Sequence, residues 1–405
     1  MVSLKNGLRV VLVPCEAESV AVGLFIASGS RHETPKTAGI SHFIEHMLFK
    51  GTPTRSPLDI TRAIEGRGGN FNACTGEEAT CFYAHLPSEC LSEAVDILTD
   101  MYLNATIPED EFDREKGVIL EEIKMYADEP DSVAMENLQR GLFPLSQLGQ
   151  PIAGSEKSLG PLRPDDLRRY IRTHYRADNT VIVIAGAFDE GGALSEVSKR
   201  MSGKIGRRPA CRSVPAPDAK CVVPETTERK DIAQAQLALG YRTFGIGHPL
   251  KYAATVLDAL LGRGMMSRLF QEVREKRGLS YDIASRMQFF HDCGMFTVAA
   301  GMDPAKRDLA LRTIDRELER IRTRQVGAAE LRRTKDFLVG NFRLSHEKVV
   351  SKMFYYGSTC LSFGRLVSTS EQVEGIRKVT AGDVLAAANA ILRSENRSTS
   401  WVLPK

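Results

Sequence analysis

Two histidines and a glutamate lie close together in the segment His42-Phe43-Ile44-Glu45-His46. The surrounding apolar residues recur at helical spacing, so we expect this H-x-x-E-H motif to lie on a helix. His42 and His46 then share one face of that helix, one turn apart, where both imidazoles can reach one metal ion. Glu45 lies beside them, three residues after His42. Chance gives such a pattern in roughly one chain in a hundred, and the alternative is a pair of histidines with a purely structural role.

A catalytic zinc site usually has three protein ligands and leaves a fourth position to water. The predicted helix Asp110–Met125 carries Glu115, Glu121 and Glu122. Glu115 and Glu122 are two turns apart and share one face of this helix, whereas Glu121 points elsewhere. The spacing alone therefore leaves Glu115 and Glu122 as candidates for the third ligand.

The motif, the glutamate 76 residues after its last histidine, and the phrase at residues 115–123 resemble the pitrilysin-type, or inverzincin, zinc metallopeptidases. This family includes insulin-degrading enzyme and the mitochondrial processing peptidase, and the present chain resembles its short, single-half members over nearly its whole length. The resemblance implies that His42, His46 and Glu122 bind one Zn²⁺ per chain. It also implies that Glu45 takes a proton from the zinc-bound water.

The same resemblance assigns further site residues. Glu115 matches an acidic position that supports the site without binding the metal. Asn72 and Ala73 match an edge strand on which a peptide substrate adds as a further strand, although a plain hairpin explains the local pattern equally well. Arg274 and Tyr281 resemble a substrate-clamping pair in which the tyrosine hydrogen-bonds the developing oxyanion; a surface salt bridge of the arginine is the alternative.

Apolar periodicity in the first half of the sequence predicts two strands, helices, a hairpin and further helices. The strands Leu8–Val13 and Val20–Ile26 are separated by a short polar stretch, and we expect them to be neighbours in one sheet. The hairpin joins Asn70–Thr75 to Ala79–His85 through a turn at Gly76-Glu77. The main helices are expected at Thr37–Leu48, Leu91–Leu103 and Asp110–Met125.

The second half of the sequence repeats this order of elements. The phrases Glu111–Lys116 and Glu330–Lys335 match in pattern at an offset of 219 residues, so the chain reads as a duplicated unit. Shifted by 219, the residues of the metal site fall on positions that cannot rebuild it, namely Leu261, Gly264, Met265 and Asn341. One metal site per chain follows.

A proline-rich, polar stretch from Arg207 to Asp218 has the composition of a linker. We therefore predict an N-terminal zinc-binding domain at 1–214 and a homologous C-terminal domain at 215–405 that lacks the metal residues and carries the clamping pair. The predicted fold class is α+β, with two homologous α/β sandwich-like repeats, each a sheet with flanking helices. The resemblance implies that they form one half of a clam-shell, completed in a homodimer or in a heterodimer with a homologous subunit.

Composition excludes several other classes of protein. The 405 residues include 54 Lys and Arg against 51 Asp and Glu, so no general attraction to nucleic acid or to an anionic membrane is expected. No run approaches the roughly 18 apolar residues of a membrane helix. The eight cysteines form no C-x-x-C pair, which excludes a zinc ribbon and fits reduced thiols. With no room for a signal peptide before the first strand, we expect a cytoplasmic protein.

These observations predict a zinc-dependent endopeptidase that hydrolyses short or unfolded peptides. Two alternatives stay open: a specialised protease that processes one precursor or leader peptide together with a partner subunit, and a non-catalytic scaffold homologue. Scaffold members of the family generally lose the metal residues, which are present here. A serine or cysteine nucleophile is not indicated, because the sequence contains no G-x-S-x-G motif.

Overall fold

The computed structural model describes residues 1–203, 215–216 and 223–405. Most of the predicted linker between Arg207 and Asp218 lies outside these residues. Within the described ranges, no helix is both long enough and apolar enough to cross a lipid bilayer.

The described chain forms two β-sheets with flanking helices, which confirms the predicted mixed fold class. The strands are β1 (Val2–Ser3), β2 (Arg9–Pro14), β3 (Ser19–Ile26), β4 (Asn70–Thr75), β5 (Thr80–Pro87), β6 (Thr180–Gly186), β7 (Glu225–Lys230), β8 (Ala235–Phe244), β9 (Ser280–Phe289), β10 (Cys293–Met302) and β11 (Arg397–Pro404). The helices are α1 (Ile40–Leu48), α2 (Pro57–Glu65), α3 (Leu91–Asn104), α4 (Glu109–Asp128), α5 (Pro130–Leu142), α6 (Glu156–Leu159), α7 (Pro164–His174), α8 (Glu190–Met201), α9 (Lys251–Gly262), α10 (Arg307–Thr323), α11 (Ala328–Ser345), α12 (Val349–Phe363), α13 (Thr369–Lys378) and α14 (Ala381–Ile391).

Two compact units make up the fold, and neither is continuous in sequence. The first unit comprises Met1–Ile123, Pro151–Val214 and Leu344–Val367, and the second comprises Lys124–Gln150, Pro215–Arg343 and Ser368–Lys405. One change of unit falls between residues 214 and 215, where the sequence analysis places the domain boundary. The segments that contain α5 and α12 are exchanged, so each unit includes one helix from the other half of the sequence. The sequence pattern does not reveal this exchange.

The sheet of the first unit has the order β1-β2-β6-β3-β5-β4. The prediction that the first two long strands are neighbours is wrong, because β6 lies between β2 and β3, parallel to β2 and antiparallel to β3. All seven residues of β6 are buried, as is typical of a central strand. β4 lies at the far edge of the sheet, next to β5.

Alternate residues of this sheet face two different helix layers. On β6, Ile182 and Ile184 join the core formed with α1, α3, α4 and α7. Val181 and Val183 instead join a cluster that includes Met353 of α12. Because successive side chains of a strand point to opposite sides of the sheet, α1 and α12 pack on opposite faces. The helix that carries the H-x-x-E-H motif is thereby held on the first of these faces.

The sheet of the second unit has the order β7-β11-β8-β10-β9 and is packed by the same rule. On β8, Leu237 and Leu239 face a large core with α9, α10 and α14. Ala238, between them, contacts a smaller cluster with Leu138 and Leu142 of α5. The helix α5 thus has in the second unit the role that α12 has in the first.

The two units repeat each other with an offset that changes along the chain. The starts of α4 and α11 differ by 219 residues (109 and 328), as the sequence predicts, but those of α1 and α9 differ by 211 (40 and 251). The offset grows because β9, β10 and α10 are longer than β4, β5 and α3. The prediction that Leu261, Gly264 and Met265 correspond to the residues of the H-x-x-E-H motif is therefore wrong, because the offset between α1 and α9 is 211 residues and not 219. At an offset of 211 the counterparts of the motif are Ala253, Val256 and Leu257, which also cannot bind a metal.

Candidate metal centre

A buried carboxylate fixes the start of α1. The backbone N–H groups of Gly39 and Ser41 donate to the two carboxylate oxygens of Glu33 at 2.7 and 2.8 Å. These N–H groups at a helix N-terminus have no acceptor within the helix, so the carboxylate satisfies them. Gly39 has a φ of 94°, and a Cβ there would lie 2.6 Å from the carbonyl oxygen of Ala153. The turn into the motif helix therefore requires glycine.

The apolar side of α1 is buried, which leaves the motif residues on its other, half-buried side. The buried residues are Ile40, Ser41, Phe43, Ile44, Met47 and Leu48. Phe43 stacks on Phe112 of α4, with ring centroids 4.6 Å apart and an interplanar angle of 19°. This contact fixes α4 against α1 and brings Glu122, further along α4, beside the two histidines.

The structure brings His42, His46 and Glu122 together. One nitrogen or oxygen from each residue lies within 4.8 Å of the others. The Nε2 atom of each histidine is 3.7 Å from Oε2 of Glu122. Two atoms that each lie about 2.1 Å from a tetrahedral ion are about 3.4 Å apart, so this cluster fits zinc after a small adjustment. Within the described ranges it is the single group of three such side chains that could hold a metal ion.

The protonation state of His42 suits metal binding. Burial, and then the neighbouring His46, lower the pKa of His42 to about 4. At neutral pH the imidazole is therefore neutral, which is the form that binds a metal ion. Its Nδ1 atom is buried and has no hydrogen-bond partner among the described residues, while Nε2 faces Glu122.

Glu115 contacts the Nδ1 side of the His46 ring, whose Nε2 atom faces Glu122. The Oε2 atom of Glu115 lies 3.0 Å from Nδ1 of His46, and Oε1 lies 2.5 Å from Nζ of Lys50. Glu115 is buried, so its two oxygens are held between these partners. A carboxylate on one ring nitrogen fixes the orientation of a histidine whose other nitrogen binds a metal. Glu115 therefore lies where it can support His46, one step removed from the cluster of donor atoms.

Glu45 lies on the same side of α1 and contacts the edge strand. The hydroxyl of Thr75, the last residue of β4, donates to Oε2 of Glu45 at 2.5 Å. Burial raises the pKa of Glu45, while the hydrogen bond from Thr75 opposes this shift. A raised pKa makes a carboxylate a stronger base and so favours a role in proton transfer.

The predicted hairpin strand Asn70–Thr75 is present as β4. Phe71 and Ala73 point towards the core beneath α1, and Asn72 is exposed on the other face. The N–H of Ala73 donates to Oδ1 of Asn72 at 2.8 Å, so this N–H is directed away from β5. β4 is the last strand of its sheet, so within the described ranges its outer edge pairs with no other strand, while the contact of Asn72 and Ala73 with a substrate stays a prediction.

Comparison with known proteins decides the family. The family model for insulinase, peptidase family M16, matches residues 9–156, and the model for the peptidase M16 inactive domain matches residues 161–338. The uncharacterized zinc protease YmxG of Bacillus subtilis is 35% identical over 392 residues, which cover 96% of this chain and 95% of that protein. The chain belongs to peptidase family M16. This confirms the resemblance to the pitrilysin-type metallopeptidases.

Solved structures share the M16 fold with this chain. A protease from Helicobacter pylori aligns with a TM-score of 0.91 at 21% identity, covering 100% of this chain and 98% of that chain. A chain in a structure of complex III2 from Candida albicans aligns with a TM-score of 0.87 at 20% identity, covering 100% and 95%. Because the fold occurs in both, it does not by itself assign a peptidase activity, and the residues of the site must do so.

The predicted clamping pair lies in the second unit, within the range of the M16 inactive-domain model. Arg274 is the penultimate residue of a π-helical segment, Phe270–Glu275, and Tyr281 lies near the start of β9. The arginine side chain lies between two rings, 4.7 Å from the centroid of Phe270 and 4.8 Å from that of Tyr281. Its ionic contact with Glu275, at 3.8 Å, is long. The structure therefore brings Arg274 and Tyr281 together, with the tyrosine 80% exposed.

Three further residues shape this M16 site, and the sequence pattern did not indicate them. Glu33 caps α1, Lys50 holds Glu115, and Thr75 holds Glu45. Lys50 follows His46 by four residues, a helical spacing that was available as a signal. The partners of Glu33 and Thr75 depend on loop and strand packing, for which the sequence pattern offers no signal.

Proposed function

We propose that this chain is a zinc-dependent endopeptidase that hydrolyses short or unfolded peptides. The observation that carries the proposal is the convergence of His42, His46 and Glu122, whose donor atoms lie within 4.8 Å of one another. Two imidazoles and one carboxylate are a ligand set that catalytic zinc sites use, with a fourth position left for water. The names of the M16 relatives as zinc proteases support the choice of metal.

Glu45 carries the proton in the proposed reaction. A zinc ion held by His42, His46 and Glu122 would supply Lewis acidity to a water molecule and to the scissile carbonyl. Glu45 accepts the proton of the attacking water and then delivers it to the leaving amine. Since Thr75 donates to Oε2, the other oxygen of Glu45 is left to hold the proton. Burial raises the pKa of Glu45, which favours its holding the proton between the two transfers.

The edge strand supports a preference for extended substrates. A peptide that adds to the outer side of β4 forms main-chain hydrogen bonds, which do not depend on its side chains. The substrate segment must therefore have backbone groups that are not already paired. Short or unfolded peptides meet this requirement, whereas the strands of a folded domain are already hydrogen-bonded to their neighbours.

The roles of Arg274, Tyr281 and a partner subunit belong to the same proposal. The Arg274 guanidinium lies against the ring of Tyr281 and also against that of Phe270, and the high exposure of Tyr281 leaves its ring accessible to a substrate. We infer that the pair binds peptide in an assembled homodimer or heterodimer. Light scattering of the purified chain, alone and with peptide, tests the assembly.

The decisive test compares the wild type with Glu45→Gln. Zinc content is measured by mass spectrometry, and cleavage of a quenched fluorescent peptide is followed in parallel. We expect about one zinc per chain in both proteins and cleavage by the wild type alone. If neither protein binds zinc, the ligand assignment fails. If both bind zinc and neither cleaves a library of unstructured peptides, with or without a partner subunit, the peptidase proposal fails and a scaffold role takes its place.

A further inference from the structure

Two cysteines face each other across the hairpin at the edge of the first sheet. Cys74 of β4 and Cys81 of β5 are direct partners in the antiparallel register. The Cα atoms of such partners are about 4.5–5.5 Å apart, and their side chains project from the same face of the sheet. A disulfide needs a Cα separation of about 4.4–6.8 Å. Both residues are free thiols in contact with each other, so the hairpin already has the geometry for a disulfide.

The two thiols differ in access and in acidity. Cys74 is exposed, whereas Cys81 is buried in the cluster that contains Phe25 and Met353. Contact with Cys81 lowers the pKa of Cys74, and burial raises the pKa of Cys81. The thiolate is the reactive form of cysteine, so an oxidant that arrives from solvent reacts at Cys74 first. Cys81 is then the nearest thiol to complete the disulfide.

We propose that Cys74 and Cys81 are an oxidation site at which a hydroperoxide forms a reversible cross-strand disulfide that regulates the edge strand. The regulatory part rests on the proposed peptidase function, and the disulfide itself does not.

The chemistry needs one hydroperoxide per pair. The thiolate of Cys74 attacks the peroxide, so that an S–O bond forms and the O–O bond breaks, and the departing alkoxide or hydroxide takes a proton from solvent to leave as an alcohol or water. The sulfur of Cys81 then attacks the sulfur of Cys74, the S–S bond forms, and the departing hydroxide takes the proton of Cys81 to leave as water. The two sulfurs are oxidised and the peroxide is reduced. A dithiol reductant reverses the bond by exchange.

The position of the pair links the bond to the candidate active site. Cys74 lies between Ala73, whose N–H points to the outer edge, and Thr75, which donates to Glu45. Residues 73 and 75 lie on the opposite face of β4 from Cys74. The disulfide therefore forms on the face that carries Cys74 and does not cover the face that carries residues 73 and 75. A new covalent tie to β5 changes the twist with which β4 presents those two residues. We expect peptide cleavage to fall roughly tenfold, less than the ~100-fold that a displacement of 1 Å can cause.

In the test, the whole 405-residue chain, loaded with zinc, is treated with hydrogen peroxide, its free thiols are blocked with an alkylating agent, and its disulfides are mapped by mass spectrometry. We expect residues 74 and 81 to be joined, and hydrogen exchange across residues 70–75 to slow. Cys74→Ser removes the bond, whereas Cys15→Ser, a change at another accessible cysteine outside the hairpin, keeps it. Complete alkylation of both Cys74 and Cys81 after peroxide treatment, or a bond from either cysteine to a different partner, overturns the site.

Activity separates regulation from modification. Oxidised wild type should lose cleavage and regain it with a dithiol, while oxidised Cys74→Ser should match its own untreated rate. A disulfide that forms without any change in cleavage rate or KM contradicts the regulatory part alone. If the reduced wild type cleaves no peptide, the proposed peptidase function fails, and the mapped disulfide with its hydrogen exchange still decides the oxidation site.

Discussion

The helices α1 and α4 of the first unit correspond to α9 and α11 of the second unit. The two units differ in how much of α1 and of α9 is buried. In the first unit α1 buries one side only, so that His42, Glu45 and His46 are half-buried. In the second unit every residue of α9 from 253 to 262 except Thr255 is buried, and Val256 and Leu257 belong to the core. A metal site on a helix therefore needs a face that is not fully buried as well as ligand residues.

The largest expected effect is the loss of metal in the first unit. His46→Ala removes one of the three donors, and we expect zinc to be lost and peptide cleavage to fall by roughly a thousandfold, equivalent to about 4 kcal/mol. Zinc analysis and the peptide assay measure the two effects. His85→Ala is the matched control, because His85 lies on β5 and bonds Ser19 instead of the cluster. Retention of one zinc per chain by His46→Ala would contradict the assignment.

A substitution in the core of the second unit should affect stability and not metal binding. Leu257→Ala removes a buried side chain from α9, and we expect the free energy of unfolding of this unit to fall by about 2–5 kcal/mol while zinc content stays unchanged. Trp401, the one tryptophan of the chain, is buried in the same core, so its fluorescence reports urea unfolding of this unit. An unchanged fluorescence transition, or loss of zinc in the folded variant, would argue against this division of roles.

A smaller effect on zinc affinity is expected for the residues that support the ligand His46. Glu115→Gln weakens the contact with His46, and we expect zinc affinity to fall roughly 10–100-fold. Lys50→Met should act in the same direction, since Lys50 holds the other oxygen of Glu115. Competition with a chelator measures both variants. Glu111→Gln, one turn earlier on α4 and paired with Arg114, should leave affinity unchanged; equal losses in all three variants would show a general effect on α4 instead.

The smallest effect concerns the pH dependence of cleavage. The hydrogen bond from Thr75 stabilises the ionised form of Glu45 and so lowers its pKa. In Thr75→Val this pKa rises, and because the base acts only when ionised, the acidic limb of the kcat/KM profile moves to higher pH. Thr75→Ser keeps the hydroxyl and should retain the wild-type profile. If the acidic limb is unshifted in Thr75→Val, Thr75 does not influence the pKa of the catalytic base.

Much of the metal site could be predicted from local spacing. The four-residue interval between His42 and His46 places both on one face of α1, and the apolar residues of α1 fix which side is buried. Spacing alone left Glu115 and Glu122 open as third ligands, and the family resemblance favoured Glu122. The structure shows the physical link, which is the stacking of Phe43 on Phe112.

Long-range pairings could not be predicted in the same way. β6 lies between β2 and β3 although about 150 residues separate it from β3, and its uniform apolar sequence indicates burial without naming its neighbours. The exchange of α5 and α12 depends on which sheet face each helix covers. The register of α9 was misplaced because strands of the second unit are longer, and a single offset cannot follow such insertions.

X-ray absorption at the zinc edge of the purified wild type identifies the atoms that bind the metal. With His42, His46 and Glu122 as ligands, we expect two nitrogen ligands and one or two oxygen ligands, all at about 2.0–2.2 Å, at one zinc per chain. Sulfur ligands at about 2.3 Å would place the metal on cysteines and contradict the assignment of His42, His46 and Glu122.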